Sequence, residues 1–144
     1  GLAAGDLASG FSSQALRSRK RIVLVFILLT LAAVLFYLFY PLATPTLFYM
    51  ACFILGFAVG YWALFVTIAA EQFGTNLRST VATTVPNFIR GTVVPITLLF
   101  KFLRAELGIV QGALIVGVIT VVIALWALRA IDETYSRDMN FVEE

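Results

Sequence analysis

Long apolar stretches separated by short polar connections dominate the pattern of this 144-residue chain. Three of them, 22–40, 47–70 and 109–128, contain no charge, and a fourth, 80–100, contains one, Arg90. A helix needs about 20 apolar residues to cross a bilayer, and uninterrupted apolar runs lack the alternation of barrel strands. The pattern therefore predicts an all-α integral membrane protein with four transmembrane helices.

The composition supports a membrane location and argues against other classes of protein. Hydrophobic residues make up 61% of the chain and charged residues 12%, with a mean hydropathy of +0.99. A soluble domain averages about 45–50% apolar and about 25% charged residues. The chain has no histidine and one cysteine, Cys52, and it shows no nucleophile–base pair or metal-ligand set. We expect neither an enzyme nor a metal or cofactor site, and a net charge of +2 gives no reason to expect nucleic acid.

The basic residues predict how the chain is oriented. Residues 1–21 are expected to be a cytoplasmic loop, although the end of a preceding helix is also open, and 129–144 a cytoplasmic tail. Seven basic residues fall on one side of the predicted spans: Arg17, Arg19, Lys20, Arg21, Arg78, Arg129 and Arg137. Only Lys101 and Arg104 fall on the other. Because short cytoplasmic loops are rich in Lys and Arg, we expect a multi-pass protein of the cell membrane, a bacterial inner membrane, with both termini cytoplasmic.

The third predicted helix carries a polar stripe. At 3.6 residues per turn its polar and small residues share an arc of about 140°; they are Thr80, Thr83, Thr84, Asn87, Arg90, Gly91 and Thr97. Such a stripe must face a cavity or other helices, and a charge in a span costs about 2.5–3.5 kcal/mol on insertion scales. No span supplies an acid for Arg90, so its partner is a ligand, a carboxylate elsewhere, or backbone carbonyls and water. Pro86 and Pro95 are expected to break the hydrogen-bond ladder of this helix.

The second predicted helix has a stripe of small residues that includes Gly56 and Gly60. This GxxxG spacing favours close packing of two helices. Tyr61 and Trp62 lie on a different face, where they could look into a pocket. The candidate substrate-binding or cavity-lining residues are therefore Tyr61, Trp62, Thr83, Thr84, Asn87 and Arg90.

Two segments resemble a known family. The stretch from Gly5-Asp6 to Arg17-Ser18-Arg19-Lys20-Arg21 is similar to the loop between spans eight and nine of major facilitator superfamily transporters. Residues 70–79, AEQFGTNLRS, resemble the stretch between spans ten and eleven. The whole chain looks like the C-terminal third of such a transporter, spans nine to twelve of a partial major-facilitator-type bundle. Leu2 stands where the family pattern has glycine, and no arginine follows Asp6, so Asp6 receives no gating role.

The resemblance has implications for individual residues. It implies that the first and fourth helices face lipid and that the second and third line a cavity. It also implies that Glu71 and Arg78 belong to a cytoplasmic ion-pair cluster that closes the pore.

Two functions remain open. The first is a secondary active transporter, a symporter or antiporter that moves a small organic solute by alternating access, of which this chain is a fragment. Its partners would be the solute, the lipid bilayer and the missing N-terminal spans, and any proton-coupling acid would lie in those missing spans. The second is a complete small four-span membrane protein with a structural or assembly role.

Overall fold

The computed structural model describes residues 1–41 and 43–135, and this part of the chain is built from α-helices and their connections. Arg137 and the rest of the predicted tail beyond Tyr135 lie outside the described residues. The helices are α1 (Leu2–Ala15), α2 (Arg19–Phe39), α3 (Pro45–Ala58), α4 (Trp62–Glu71), α5 (Arg78–Gly91), α6 (Val93–Leu107) and α7 (Ile109–Ala130).

Three stretches are long and apolar enough to cross a membrane: Arg19–Phe39, Pro45–Glu71 and Ile109–Ala130. They correspond to three of the four predicted spans. The fourth, 80–100, is divided between α5 and α6, which have 14 and 15 residues. The fold is therefore all-helical with three candidate membrane-spanning stretches.

Local sequence signals explain where the spans begin and end. Ser18 caps α2 because its hydroxyl accepts a hydrogen bond from the Arg21 backbone N–H. Thr44 caps α3 in the same way, and Pro45 takes the first helical position, where its missing N–H costs nothing. Between α6 and α7 the chain turns at Gly108, whose φ of 89° suits glycine best.

The break near residue 92 separates α5 from α6. Pro95 has no N–H for the carbonyl of Gly91 four residues earlier, and its ring crowds that carbonyl. Thr92 N–H instead bonds to the Ile89 carbonyl at 3.0 Å, a tighter turn. Pro86 likewise has no N–H for the Ala82 carbonyl, but the helical path of α5 continues through it.

Residues 1–21 differ most from the expected cytoplasmic loop, because α1 occupies most of this segment and packs against α2, α3 and α4. The contact is backbone to backbone. A Cβ atom on Gly60 would lie 2.4 Å from the Gly5 Cα atom, and one on Gly1 would lie 2.3 Å from the Phe53 carbonyl oxygen. The Gly56–Gly60 pair is thus a helix-packing surface, and α1 supplies the matching glycines.

The second span is interrupted at this crossing. Helix α3 ends at Ala58, the backbone N–H of Gly60 bonds to the Phe57 carbonyl at 3.0 Å, and α4 starts at Trp62.

Helix α2 lies at the centre of the bundle, in contact with α1, α3, α4 and α7. A buried apolar cluster joins α2 to α4 and α7, and its members are Ile22, Val23, Phe26, Ile27, Leu64, Ile68 and Leu128. Helix α2 is therefore more enclosed than the lipid-facing position that the resemblance implies. Helix α7 has two buried residues, Gly112 and Leu128, and α5 and α6 have none.

Substituting Gly60 by alanine should separate α1 from the bundle. The new methyl group would overlap the backbone of Gly5, and such overpacking costs about 1–3 kcal/mol. We expect a lower thermal midpoint in lipid nanodiscs, measured by size-exclusion recovery after heating. Gly117→Ala is the matched control, because nothing lies within 4 Å of its Cβ position. Equal midpoints for the two variants would contradict the close crossing.

Candidate functional site

The polar stripe lies on the open side of α5. Thr83, Thr84, Asn87 and Arg90 are all exposed. Thr83 turns its hydroxyl back to the Ser79 and Thr80 carbonyl oxygens, so it adds little to hydrogen bonding outside the helix.

Arg90 is oriented by two neighbours. Its Nη1 donates to Asn87 Oδ1 at 3.3 Å, and Asn87 Nδ2 donates to the Thr83 carbonyl at 3.1 Å. On the other side the guanidinium carbon lies 5.8 Å from the centre of the Trp62 ring, a cation–π distance. Neither neighbour carries a negative charge, and no ion pair of Arg90 occurs in residues 1–41 and 43–135. The guanidinium is therefore held in place without being neutralised.

The structure separates Tyr61 from this group. Trp62 begins α4 and meets α5, whereas the Tyr61 ring lies 6.1 Å from the Phe26 ring and packs against the buried apolar cluster. The two aromatic residues therefore lie in different surroundings, Tyr61 against the buried cluster and Trp62 beside Arg90. Of the predicted cavity-lining residues, Arg90 contacts both Asn87 and Trp62, and Asn87 donates to the Thr83 carbonyl.

The opposite part of the bundle contains an ion pair at the end of α4. Arg19 Nη2 donates to Glu71 Oε1 at 2.5 Å, and Glu71 is only 7% exposed. The second carboxylate oxygen, Oε2, has no hydrogen-bond partner in the part of the chain described. The ion pair described for Glu71 is therefore with Arg19 rather than with Arg78, which has contacts of its own at the start of α5.

A second set of contacts joins α2 to the segment after α7. The Glu133 carboxylate accepts hydrogen bonds from the Ser18 hydroxyl and from the backbone N–H groups of Arg19 (2.9 Å) and Lys20 (3.3 Å). In return, Lys20 Nζ donates to the Ile131 carbonyl at 2.7 Å and the Arg129 carbonyl at 3.3 Å. An anion thus sits at the N-terminus of α2 and a cation at the C-terminus of α7, which is the favourable arrangement for both helix dipoles.

We call Arg19, Lys20, Glu71 and Glu133 the polar clasp. Sequence reasoning identified only Glu71 among these partners. Ser18 gave a usable signal, since an N-cap serine before three basic residues marks a helix end suited to a carboxylate. Which acid would supply that carboxylate depends on tertiary structure, because Glu133 is more than 100 residues away.

The pKa of Glu133 lies below its ordinary value of 4.5. Partial burial acts to raise this pKa, but the Ser18 hydroxyl and the backbone N–H groups of Arg19, Tyr135 and Lys20 outweigh it by hydrogen bonding to the charged form. Because the folded state lowers the pKa, the contact stabilises the protein above the unfolded-state pKa and is lost as pH falls through the folded-state value.

Asp6 is the other acid in a notable position. Its Oδ1 accepts a hydrogen bond from the Ala63 backbone N–H at 3.2 Å, in the first turn of α4. Tyr61, the residue in the N-cap position, makes no side-chain capping bond, so a carboxylate from α1 performs this function. Sequence reasoning missed this role because it assigned residues 1–21 to a loop.

Comparison with known proteins identifies no relative: no family model, no curated protein and no solved structure matches this chain. Within residues 1–41 and 43–135, no group of three or more Cys, Asp or Glu side chains is placed to hold a metal ion. The described residues therefore provide an exposed guanidinium at Arg90 that forms no ion pair with any of them, and the ion pair and helix-end hydrogen bonds of the polar clasp.

Glu133→Gln should loosen the start of α2. The neutral amide keeps one acceptor oxygen but loses its attraction to the helix N-terminus, so exchange of the Arg19 and Lys20 amides should accelerate roughly two- to fivefold at neutral pH. In the unmodified chain the same loss should occur as pH falls below the usual range of glutamate, whereas the variant should not respond. Hydrogen exchange with mass spectrometry, corrected for intrinsic rates, measures both effects.

The control is Asp132→Asn, which removes the neighbouring exposed acid and should leave exchange unchanged. Unchanged amide exchange in Glu133→Gln would show that the carboxylate does not cap α2.

Proposed function

We propose that this chain forms the last four spans of a major-facilitator-type secondary transporter, which moves a small organic solute by alternating access. In this proposal α2, α3–α4, α5–α6 and α7 are spans nine to twelve, and α1 is the end of span eight. The protein would work as a symporter or antiporter in the cell membrane, in association with the preceding spans of the same protein.

The observation that carries the proposal is the charged stripe on a broken helix. Helix α5 presents Asn87 and Arg90 on its open face, and the helical path breaks at residue 92, close to Arg90. Interrupted helices are tolerated at membrane depth where they line a cavity or are buried in protein, and transporters place their binding sites at such breaks. A purely structural protein has no need for an oriented, unneutralised guanidinium at that position.

The polar clasp supports a gate at one end of the bundle. It joins the start of α2 to the ends of α4 and α7 through the Arg19–Glu71 ion pair and helix-end hydrogen bonds, which a relative shift of these helices would separate. The neighbouring basic residues Arg17, Arg21 and Arg129 favour a cytoplasmic location for this end, and hence for both termini.

The direct test is uptake by the complete gene product. Cells that produce it, and control cells that do not, would be exposed to a mixture of isotope-labelled organic acids, amino acids and sugars. Mass spectrometry of the cell contents would report accumulation. A solute that accumulates only in the producing cells supports the transporter. If the protein is shown to be in the membrane and no solute accumulates, the proposal is contradicted.

Arg90→Gln should weaken the uptake of that solute. Loss of a charged hydrogen-bond donor from a site costs about 1.5–3 kcal/mol, so we expect a rise in KM or a fall in kcat/KM of about ten- to a hundredfold. Arg104→Gln, which changes an exposed basic residue near the end of α6, is the matched control. Identical affinity and rate in the Arg90 variant would remove this residue from the site.

Glu71→Gln should favour the state that is open toward the polar clasp. Removing the carboxylate charge weakens the contact with Arg19, and a change of 1–3 kcal/mol would shift the populations about 5- to 150-fold. The readout is labelling of Thr83→Cys by an impermeant maleimide added from the cytoplasmic side, in a Cys52→Ala background. Labelling should accelerate in the variant and stay unchanged in Glu106→Gln, and equal rates throughout would argue against a gate.

A further inference from the structure

We propose that Asp6 is the proton-binding residue of this bundle, and that its charge state controls the first turn of α4. The inference rests on the proposed transporter function and deepens it, because it assigns the coupling ion to a residue of this chain. Sequence reasoning placed any such acid in the missing spans.

The positions of Asp6 on α1 and of its partner on α4 indicate how deep the carboxylate lies in the membrane. Its partner Ala63 lies eight residues before Glu71, which is about 12 Å along α4 at 1.5 Å per residue. On its own helix, Asp6 lies nine residues before Ala15, about 13 Å from the end that leads to the basic residues. The second span continues beyond Ala63 for 18 more residues in the other direction. If this span crosses the bilayer, Asp6 lies within the hydrocarbon region, where an acid is a candidate for function by default.

Asp6 has no opposite charge to keep it ionised. Its side chain makes a single hydrogen bond, to the Ala63 N–H, and no ion pair in residues 1–41 and 43–135. The elements packed against α1 carry these ionisable side chains: Arg19, Lys20, Arg21 and Tyr37 on α2, Tyr49 and Cys52 on α3, and Tyr61 and Glu71 at the two ends of α4. None of them forms a hydrogen bond or an ion pair with the Asp6 carboxylate in the described structure, so protonation there would break no ion pair.

A groove leads from Asp6 toward the charged end. It is lined by one face of α1, by Asp6, Leu7, Gly10, Phe11 and Gln14, and has a volume of about 210 Å³. A water molecule occupies about 30 Å³ in the liquid, so the groove has room for several. Asp6 and Gln14 place polar groups at its two ends, eight residues apart. Asp6 is therefore open along this face of α1 and is not enclosed by the bundle.

Protonation of Asp6 changes the N-terminus of α4. In the charged state the carboxylate caps the N-terminus of α4, where the helix dipole favours an anion. When a carboxylate oxygen takes a proton from water, an O–H bond forms, the charge disappears and the hydrogen bond from Ala63 weakens. Loss of the proton back to water reverses each change.

Trp62 links this event to the stripe on α5. It is the residue directly before Ala63, and its ring lies 5.8 Å from the Arg90 guanidinium. A change in the first turn of α4 therefore moves a side chain that orients Arg90. The proton site and the candidate solute site therefore meet at two adjacent residues of α4, Ala63 and Trp62.

The two tryptophans allow a test that needs no solute. In a Trp126→Phe background Trp62 is the only tryptophan, so its emission reports the start of α4. The chain in lipid nanodiscs would be titrated from about pH 9 to about pH 4. We expect a one-proton transition in Trp62 emission, accompanied by a roughly tenfold loss of exchange protection in a peptide that contains Ala63. Asp6→Asn keeps an acceptor oxygen but cannot titrate, and should abolish both transitions.

Glu106→Gln is the matched control, since it removes an exposed acid of α6 and should leave both transitions in place. Persistence of the transitions in Asp6→Asn, or their absence in both readouts in the parent chain, overturns the proposal. A response to NaCl against KCl at fixed pH, without a response to pH, also overturns it.

The outcome of this titration does not depend on whether the complete protein transports a solute. The titration can be absent while the complete protein still accumulates a solute, which would remove Asp6 and leave the transporter. Conversely, the uptake experiment can fail while Asp6 titrates, which would remove the transporter and leave a proton-binding residue.

Discussion

The crossing of α1 over the second span is the contact on which the other features depend. Because Gly5 and Gly60 lack side chains, two backbones approach closely enough for a carboxylate on one helix to reach an N–H on the other. The same crossing coincides with the interruption at 59–61, which makes Trp62 the first residue of a new helix. Trp62 then meets Arg90 while Tyr61 turns to the core. One close contact therefore determines the surroundings of Asp6, Trp62 and Arg90.

The polar clasp and the stripe on α5 differ in how their charges are satisfied. At the clasp, positive and negative groups pair with each other or with helix ends, so the contacts are reciprocal and local. On the stripe, Arg90 is oriented by an aromatic ring and an amide, neither of which cancels its charge. In the proposed transporter, contacts of the first kind would form the gate. A charge of the second kind would bind the solute.

Hydrophobic pattern predicted the parts of this fold that depend on local chemistry. The apolar runs gave α2 and α7 to within a few residues, and the break near Pro95 follows from the missing N–H of proline. Pro86 shows the limit of that reasoning, since the same residue type leaves α5 continuous. The sequence also predicted a packing surface at Gly56 and Gly60, but it could not name α1 as the partner.

The candidate site was predicted only where its residues share one helix. Periodicity brought Thr83, Asn87 and Arg90 to one face because they share a helix. It could not separate Tyr61 from Trp62, because the chain is irregular at that point and helical angles no longer apply. Pairing of Glu71 with Arg19, of Glu133 with the start of α2, and of Asp6 with Ala63 spans 52 to 114 residues of sequence. Such pairs depend on how helices pack, which no local pattern contains.

The Asp6–Ala63 contact also constrains the order of assembly in the membrane. A helix that carries a carboxylate such as Asp6 has little tendency to enter lipid alone, because the charge costs about 2.5–3.5 kcal/mol at the centre of a span. The Ala63 N–H group, which donates to this carboxylate, takes its place only when α4 has formed as a helix separate from α3. Helix α1 is synthesised before them, and Ala63 follows Asp6 by 57 residues. The contact between the two can therefore form only after α4 has been synthesised. Among the described helices, α1 therefore reaches its final contacts only after α4 has formed.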